Sequence, residues 1–363
     1  MAAPPTRVHD GRMGARTASR HGGGRPAPAR GAAVAVLLAA LASGCGTPAV
    51  SSVTQATTAP PSPSPTASLV PPTDITAVGG VALSVADADW LQVADGHVWT
   101  TLGTEVAQQL DPTTGKELKA VPLGGPVCTA MDHGFDSLWV PVCSTPGTVL
   151  RLDPATGKVL ARIPVPDGLE VMEEGSVASG EGFVWVVTVG DERTLVKIDP
   201  TTNTVVDRVP VEVGVTAARA GEGALWTTNT VTSAVERRDP SSGALVASVP
   251  TGKGARFFAV GEGAVWVQNN IDGTVTRVDP ATNKAVATIT VDSGPVDGGD
   301  LAVGGGFVWA RVTDILVAKI DPATNTVVAR YSPAAGSGSV AAGEGAAWVS
   351  AHDHDVVYRL PLD

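Results

Sequence analysis

Charge is scarce in this sequence. Asp, Glu, Lys and Arg make up 17% of 363 residues, while 42 glycines and 28 prolines break it up. Long helices are not expected from such a chain; turns are. Basic charge is scarcer still beyond the first segment. Residues 1–44 hold six of the 25 bases (Arg7, Arg12, Arg16, Arg20, Arg25, Arg30) and one of the 36 acids, Asp10, leaving 19 bases, 35 acids and a net charge of −16. A body that acidic repels phosphate backbones, so no nucleic-acid partner is expected. The N-terminal apolar run, Gly31 to Ala42, is about twelve residues long, short of the roughly twenty that a membrane-spanning helix needs. There is no Gly-x-Ser-x-Gly elbow and no paired nucleophile and base, so nothing singles out a hydrolase.

What stands at the N-terminus reads as export. An Arg-rich stretch ends at Arg30, the apolar run follows, and the run closes on Leu41-Ala42-Ser43-Gly44-Cys45. This resembles the lipobox of bacterial lipoproteins, with Ala42 where Leu is most usual. The resemblance implies cleavage after residue 44, a lipid on Cys45 and attachment to the outer face of the cytoplasmic membrane, with no other membrane contact. Residues 45–74 then form the expected tether. Positions 46–73 carry no charge and seven prolines, a composition that buries no core. In polyproline II form, 28 such residues reach roughly 80 Å.

From residue 75 to 363 one pattern repeats. Tryptophan recurs at 99, 139, 185, 226, 266, 309 and 348, and a period near 40 built from short strands marks a propeller. The clearest copy runs Phe257–Val260 (strand), Gly261-Glu262-Gly263 (turn), Ala264–Val267 (strand), Thr274–Val278 (strand), Asp279-Pro280-Ala281-Thr282-Asn283 (turn) and Ala285–Ile289 (strand). Pro presets φ in the second turn, Asp before it accepts backbone hydrogen bonds, and the closing Gly or Asn tolerates a left-handed backbone. Asp111, Asp153, Asp199, Asp239, Asp279 and Asp321 all precede Pro, so these acids read as turn caps. The repeating tryptophans read as packing faces between blades. The seventh copy stops at Asp363 without a fourth strand, while Ile75 to Val85 has no blade of its own. The expected fold is therefore all-β: a seven-bladed β-propeller of four-stranded blades, with the N-terminal strand completing the last blade and closing the ring.

The pattern GEGxVWV followed by RIDPxTNxVVAxI resembles the streptogramin (virginiamycin B) lyase propellers and the YVTN-type surface repeats, over residues 75–363. That family implies a His and acidic residues working with magnesium on one face. Its blades commonly show Trp-x-x-Glu after the second strand, whereas these copies read Trp99-Thr-Thr, Trp139-Val-Pro, Trp185-Val-Val, Trp226-Thr-Thr, Trp266-Val-Gln, Trp309-Ala-Arg and Trp348-Val-Ser. No catalytic residue is carried over.

The turns between first and second strands and between third and fourth strands open on one face and barely vary. The second-to-third loops and the blade-to-blade connections open on the other face and differ from copy to copy. Function usually resides in variable loops on a rigid scaffold. The polar residues expected there as ligand contacts are Glu170, Glu173, Glu174, Asn229, Arg256, Asn269, Asn270, Asp297, Asp300, Arg311, His352 and His354. In an extended segment His352 and His354 would share a side, yet their spacing is no specific metal motif. The reading that results is a monomeric, non-enzymatic surface scaffold that binds an envelope protein or a small molecule and needs no cofactor. The alternative is a metal-dependent lyase, or a hydrolase, acting on a lactone or peptide-like compound, with magnesium entering only in that case.

Cys128 and Cys143 straddle the turn Gly134-Phe135-Asp136-Ser137. A turn centred between 135 and 136 places them opposite each other, at a separation that suits a disulfide. A turn centred on Phe135 alone points them apart.

Overall fold

The computed structural model describes residues 54–55, 69–102, 105–128, 130–166 and 168–362. The expected signal segment, Cys45 and most of the expected tether lie outside these residues.

Seven antiparallel four-stranded sheets form the ring. Blade 1 comprises Ala88–Ala94, His97–Leu102, Val106–Leu110 and Glu117–Pro122. Blade 5, the archetype, comprises Ala255–Gly261, Ala264–Asn269, Thr274–Asp279 and Lys284–Thr290. The innermost strands touch in order around the channel, and that of blade 7 touches that of blade 1. Blade 7 is built from Val340–Gly343, Ala346–Ala351 and Val356–Pro361, and its outer strand is Val81–Ser84, in register Val81 with Arg359 and Ser84 with Val356. Ring closure by the N-terminal segment therefore holds, with one correction: Ile75–Val78 is a 3-10 turn capped by Asp74, and only Val81–Ser84 is strand. Ile75 is buried against blades 6 and 7. The tether also ends differently from a free spacer. Thr73–Asp74 adds in parallel to the outer strand of blade 6, beside Tyr331 and Ser332, and Thr54–Gln55 adds in parallel to that of blade 4.

The tryptophan repeat explains how the blades hold together. All seven are fully buried. Opposite each on the third strand stands Gln109, Arg151, Lys197, Arg237, Arg277, Lys319 or Arg359. The six cations lie over the indoles at 5.0–5.8 Å, near enough for cation–π attraction. Five of them then reach the Asp-Pro turn of the next blade: Arg277 donates to Pro322 O at 2.6 Å and Asn325 Oδ1 at 2.8 Å, and Arg237 to Pro280 O at 2.9 Å. Lys319, facing a blade without that turn, donates to Leu362 O at 3.2 Å. Arg359 donates to Pro112 O of blade 1 at 3.2 Å, so the clasp also crosses the seam. Five of the indoles donate to the carbonyl five residues upstream, as Trp266 does to Gly261 at 3.1 Å. That glycine has φ +149°, and a Cβ on it would lie 2.7 Å from Val303 of the next blade. The face carrying these turns is thus committed to joining blades.

Each of blades 1 to 6 has a register shift in its outer strand, opposite the pairs Gln109/Leu110, Arg151/Leu152, Lys197/Ile198, Arg237/Arg238, Arg277/Val278 and Lys319/Ile320. The residue left over at each bulge is an exposed aliphatic: Leu118, Leu160, Val206, Val246, Val286 and Val328. Cys128 and Cys143 are joined in a disulfide with Cα atoms 5.1 Å apart. The turn has two central residues, Phe135 and Asp136, both left-handed. The Gly-Glu-Gly copies have the same length, since Gly261 pairs with Ala264.

Candidate functional site

The seven copies are most alike on the second strand and least alike on the first, which lines the channel. Opposite the tryptophans the first strands place Gln92, Asp132, Ala178, Arg219, Ala259, Ala302 and Ala341. Small residues keep four blades close at this height; Gln92, Asp132 and Arg219 break the pattern. Two residues nearer the variable face, Trp90, Phe257 and Asp300 break it again.

These exceptions meet. Trp90 is the one tryptophan outside the period, and it reaches from blade 1 across the channel. Its ring lies 6.4 Å from that of Phe257 in blade 5 and 5.8 Å from the guanidinium carbon of Arg219 in blade 4. A Cβ on Gly175, before blade 3, would sit 3.7 Å from both Trp90 and Arg219. Arg219 Nη1 donates to Ala218 O at 2.9 Å and Gly175 O at 3.2 Å. Below Trp90 lies a cavity of about 170 Å³, lined by Gln92, Arg219, Asp300 and aliphatic residues of blades 5 to 7. This is room for several waters.

The carboxylates around Arg219 are held by neighbouring blades. Asp132 accepts from Ser179 N at 2.5 Å and Ser179 Oγ at 2.9 Å. Asp300 accepts from Ser339 Oγ at 2.7 Å and Val340 N at 3.3 Å. Burial pushes both acids up, Asp300 to about 6, and the Arg219 charge opposes the rise in each. Nearer solvent, Asp89 is also raised by burial, with His352 pulling it down and Glu174 and Asp353 pushing it up. His352 Nδ1 stands 3.9 Å from Asp89 and its Nε2 3.0 Å from Asp353. Glu174 and Arg256 form an ion pair, and Arg256 lies over Phe257 at 5.0 Å. Six blades thus send an ionisable group toward this end of the channel, Asp89, Glu174, Arg219, Arg256, Asp300 and His352, while the carboxylate of Asp132 is held lower, by Ser179 beside the Gly-Glu-Gly turn of blade 3.

Of the residues expected from sequence, Glu174, Arg256, Asp300 and His352 are brought to this mouth. Glu170 and Glu173 are exposed beside it, Glu170 accepting from Thr145 Oγ1 at 3.1 Å. Asp297 is exposed on a connection, where its N–H donates to Thr313 Oγ1. Asn229, Asn269 and Arg311 point inward and need correction as ligand contacts, being 0–1% exposed. Asn229 accepts from Val231 N and Thr232 N at 3.1 Å and donates to Glu236, so it builds its loop. Asn269 donates to Thr274 and Thr276, and Asn270 to Val296 O and Gly298 O. Arg311 spends its guanidinium on backbone carbonyls, Ala335 O at 2.9 Å and Gly336 O at 2.8 Å among them, and burial brings it down to about 10. His352–His354 is a 3-10 turn, so the alternation of an extended segment does not apply, and His354 is exposed. Among the described residues no three His, Cys, Asp or Glu side chains are grouped as metal ligands.

Trp90, Asp89, Asp132, Arg219 and Phe257 escaped the sequence reading. Their signal is a charged or aromatic residue in a column that other copies fill with small ones. Neither a protein-family model nor a curated protein sequence matches the chain.

Proposed function

We propose that this protein is a binding module, exported and held at the outer face of the membrane by a lipid on Cys45, that receives a ligand at the variable-face mouth of its channel. The supporting observation is the convergence toward one end of the channel of ionisable groups from six blades, packed around Trp90, Phe257 and a small polar cavity. Repetition would have filled these columns with alanine. Burying a carboxylate is costly even where hydrogen bonds offset part of the cost, and burial pushes up three of them here, Asp89, Asp132 and Asp300. The mouth carries more acid than base, and the expected mature body is acidic too. The occupant is therefore a small polar molecule, or one side chain of an envelope protein, that offers positive charge or hydrogen-bond donors to Asp89 and Glu174. The cavity beneath admits only a small group. The chain acts as a monomer and needs no cofactor in this reading.

The test is a thermal-shift screen of small amines, guanidines, amides and polyols, with wild type beside Asp89→Asn, Glu174→Gln and Arg219→Gln. A ligand present at 100 times its Kd raises stability by about 2.7 kcal/mol. Ligands that stabilise wild type should bind the variants at least about tenfold more weakly. Ligands that bind all four proteins equally would show that this mouth is not the site.

A further inference from the structure

The variable face carries a second feature, away from the channel. Three aliphatic side chains are far more exposed than any other large apolar residue of the described chain: Val213 at 77%, Val231 at 76% and Ile271 at 60%. Val231 and Ile271 occupy the tips of the second-to-third loops of blades 4 and 5. The corresponding loops of blades 2, 3 and 7 present Ser144-Thr145-Pro146, Asp191-Glu192 and Asp353-His354, and that of blade 6 presents Thr313-Asp314 while burying Val312 and Ile315. The turn itself therefore does not call for an aliphatic tip.

The three residues form one strip on a rigid base. Val231 lies over Gly214, where a Cβ would come within 2.9 Å of its Cβ, and Ile271 lies over Gly254 at 2.9 Å from Cγ1 in the same sense. Ser233 Oγ receives the Gly254 N–H at 3.4 Å, which joins the two loops. The buried amide of Asn229 holds one tip, and backbone bonds from Asp272 and Gly273 to Asn269 O hold the other. The rim is acidic, with Asp272 beside the strip, Asp191 and Glu192 on the neighbouring blade and Glu212, whose carboxylate pairs with the buried Arg238, against Lys253 as the cation between the tips.

We infer that this strip docks a protein partner that presents an aliphatic side chain flanked by Lys or Arg. Preorganised apolar side chains lose little entropy on binding, which is what an interface anchor requires, and solvent gives no reason to keep three of them exposed together. The acidic rim selects the partner's charge. It repels a second copy of this chain, which carries the same excess of acid, and it repels an anionic lipid surface. The strip is separate from the channel mouth and stands whether or not a ligand binds there.

The test places the photo-cross-linker p-benzoylphenylalanine at Thr232 or Lys253 of the full chain in the cells that make it, with Glu222 and Glu262 on the opposite face as controls. Adducts are expected from the first pair and not from the controls. They should weaken at least about tenfold with Val231→Ser plus Ile271→Ser, and also with Asp272→Asn, which keeps the acceptor for Lys253 N but removes the charge. Sequencing of the adduct should show an aliphatic residue next to Lys or Arg in the partner. No adduct, adducts of equal yield on both faces, an adduct of twice the chain's mass, or one insensitive to Val231→Ser plus Ile271→Ser would each overturn the inference. So would sedimentation of the purified protein with phosphatidylcholine–phosphatidylglycerol vesicles that Val231→Ser abolishes.

Discussion

At the scale of residues, two kinds of position carry the molecule. Tryptophan, its covering cation and the next blade's turn form a clasp repeated around the ring. Arg277→Ala removes the bonds to Pro322 O and Asn325 and uncovers Trp266. A loss of about 1–3 kcal/mol in denaturant titration is expected, and a double-mutant cycle with Asn325→Ala should return a coupling of at least about 0.5 kcal/mol. Gly261→Ala would cost a similar amount, since it forces a left-handed backbone and a clash with Val303. The other kind is the ionisable exception in the channel. The folded state raises Asp300 to about 6, so between pH ~4 and pH ~6 it binds more protons than the unfolded chain, and stability falls as pH rises across that window. Asp300→Asn should remove its own share of this slope, about 2–3 kcal/mol, and leave that of Asp132 and Asp89; an unchanged stability difference between urea melts at pH 4.5 and 6.5 would contradict it. The period of the tryptophans was legible because it is written seven times. Arg219 and Asp132 were not, because a channel residue is written once and only three-dimensional register shows which column it violates.

At the scale of elements, strands and turns were almost fully legible. Alternation and the Asp-Pro and Gly-Glu-Gly turns place the strands of blade 5 within a residue or two of where they lie. Loops were legible only as a face. Of the polar loop residues expected to meet ligand, Glu174, Arg256 and His352 stand at the channel mouth. Asn229, Asn269 and Arg311 are buried and bonded within the fold instead, because an irregular backbone also needs donors and acceptors to close it, and sequence does not tell a loop's own support from its cargo. The disulfide belongs to this scale. It ties Cys128, ahead of a short inner strand (Asp132–Gly134), to Cys143 at the end of the next strand (Ser137–Val142), beside the connection that carries Glu170 to Glu174. Reduction, or Cys128→Ser with Cys143→Ser, should cost up to about 3 kcal/mol by the loop-entropy estimate for 15 residues. Hydrogen exchange should quicken around residues 127–147 far more than in blade 5. Two titratable thiols in the unreduced protein would contradict the bond.

At the scale of the whole molecule, closure decides stability. Deleting 75–85 removes the outer strand of blade 7 and the buried Ile75, and leaves unpaired edges. It should lower Tm far more than deleting 46–70, and equal melting temperatures would refute the assignment of the seam. The ring was legible because an unfinished last copy and an orphan first segment can only complete each other. The 3-10 turn was not, since Ile75-Thr76-Ala77-Val78 itself reads as strand and only the flanking Asp74 cap and left-handed Gly79 mark it. The bulges in the six outer strands bear on crowding instead: each interrupts the hydrogen-bonding edge of its blade, and the N-terminal segments cover part of two of those edges, so rings can touch at their rims without zipping together.

The placement of Thr73 to Gly80 has a mechanical consequence. Any tension transmitted through the chain ahead of Thr73 does not fall first on the strand that closes the ring. It meets the parallel pairings of Thr54–Gln55 with blade 4 and of Thr73–Asp74 with blade 6, then the buried side chain of Ile75 and the 3-10 turn, and only afterwards Val81–Ser84. The protein thus has a sacrificial fastening in series with its seam. A stretched molecule would give up a few hydrogen bonds and one isoleucine, and lengthen by a handful of residues, before its circle opened.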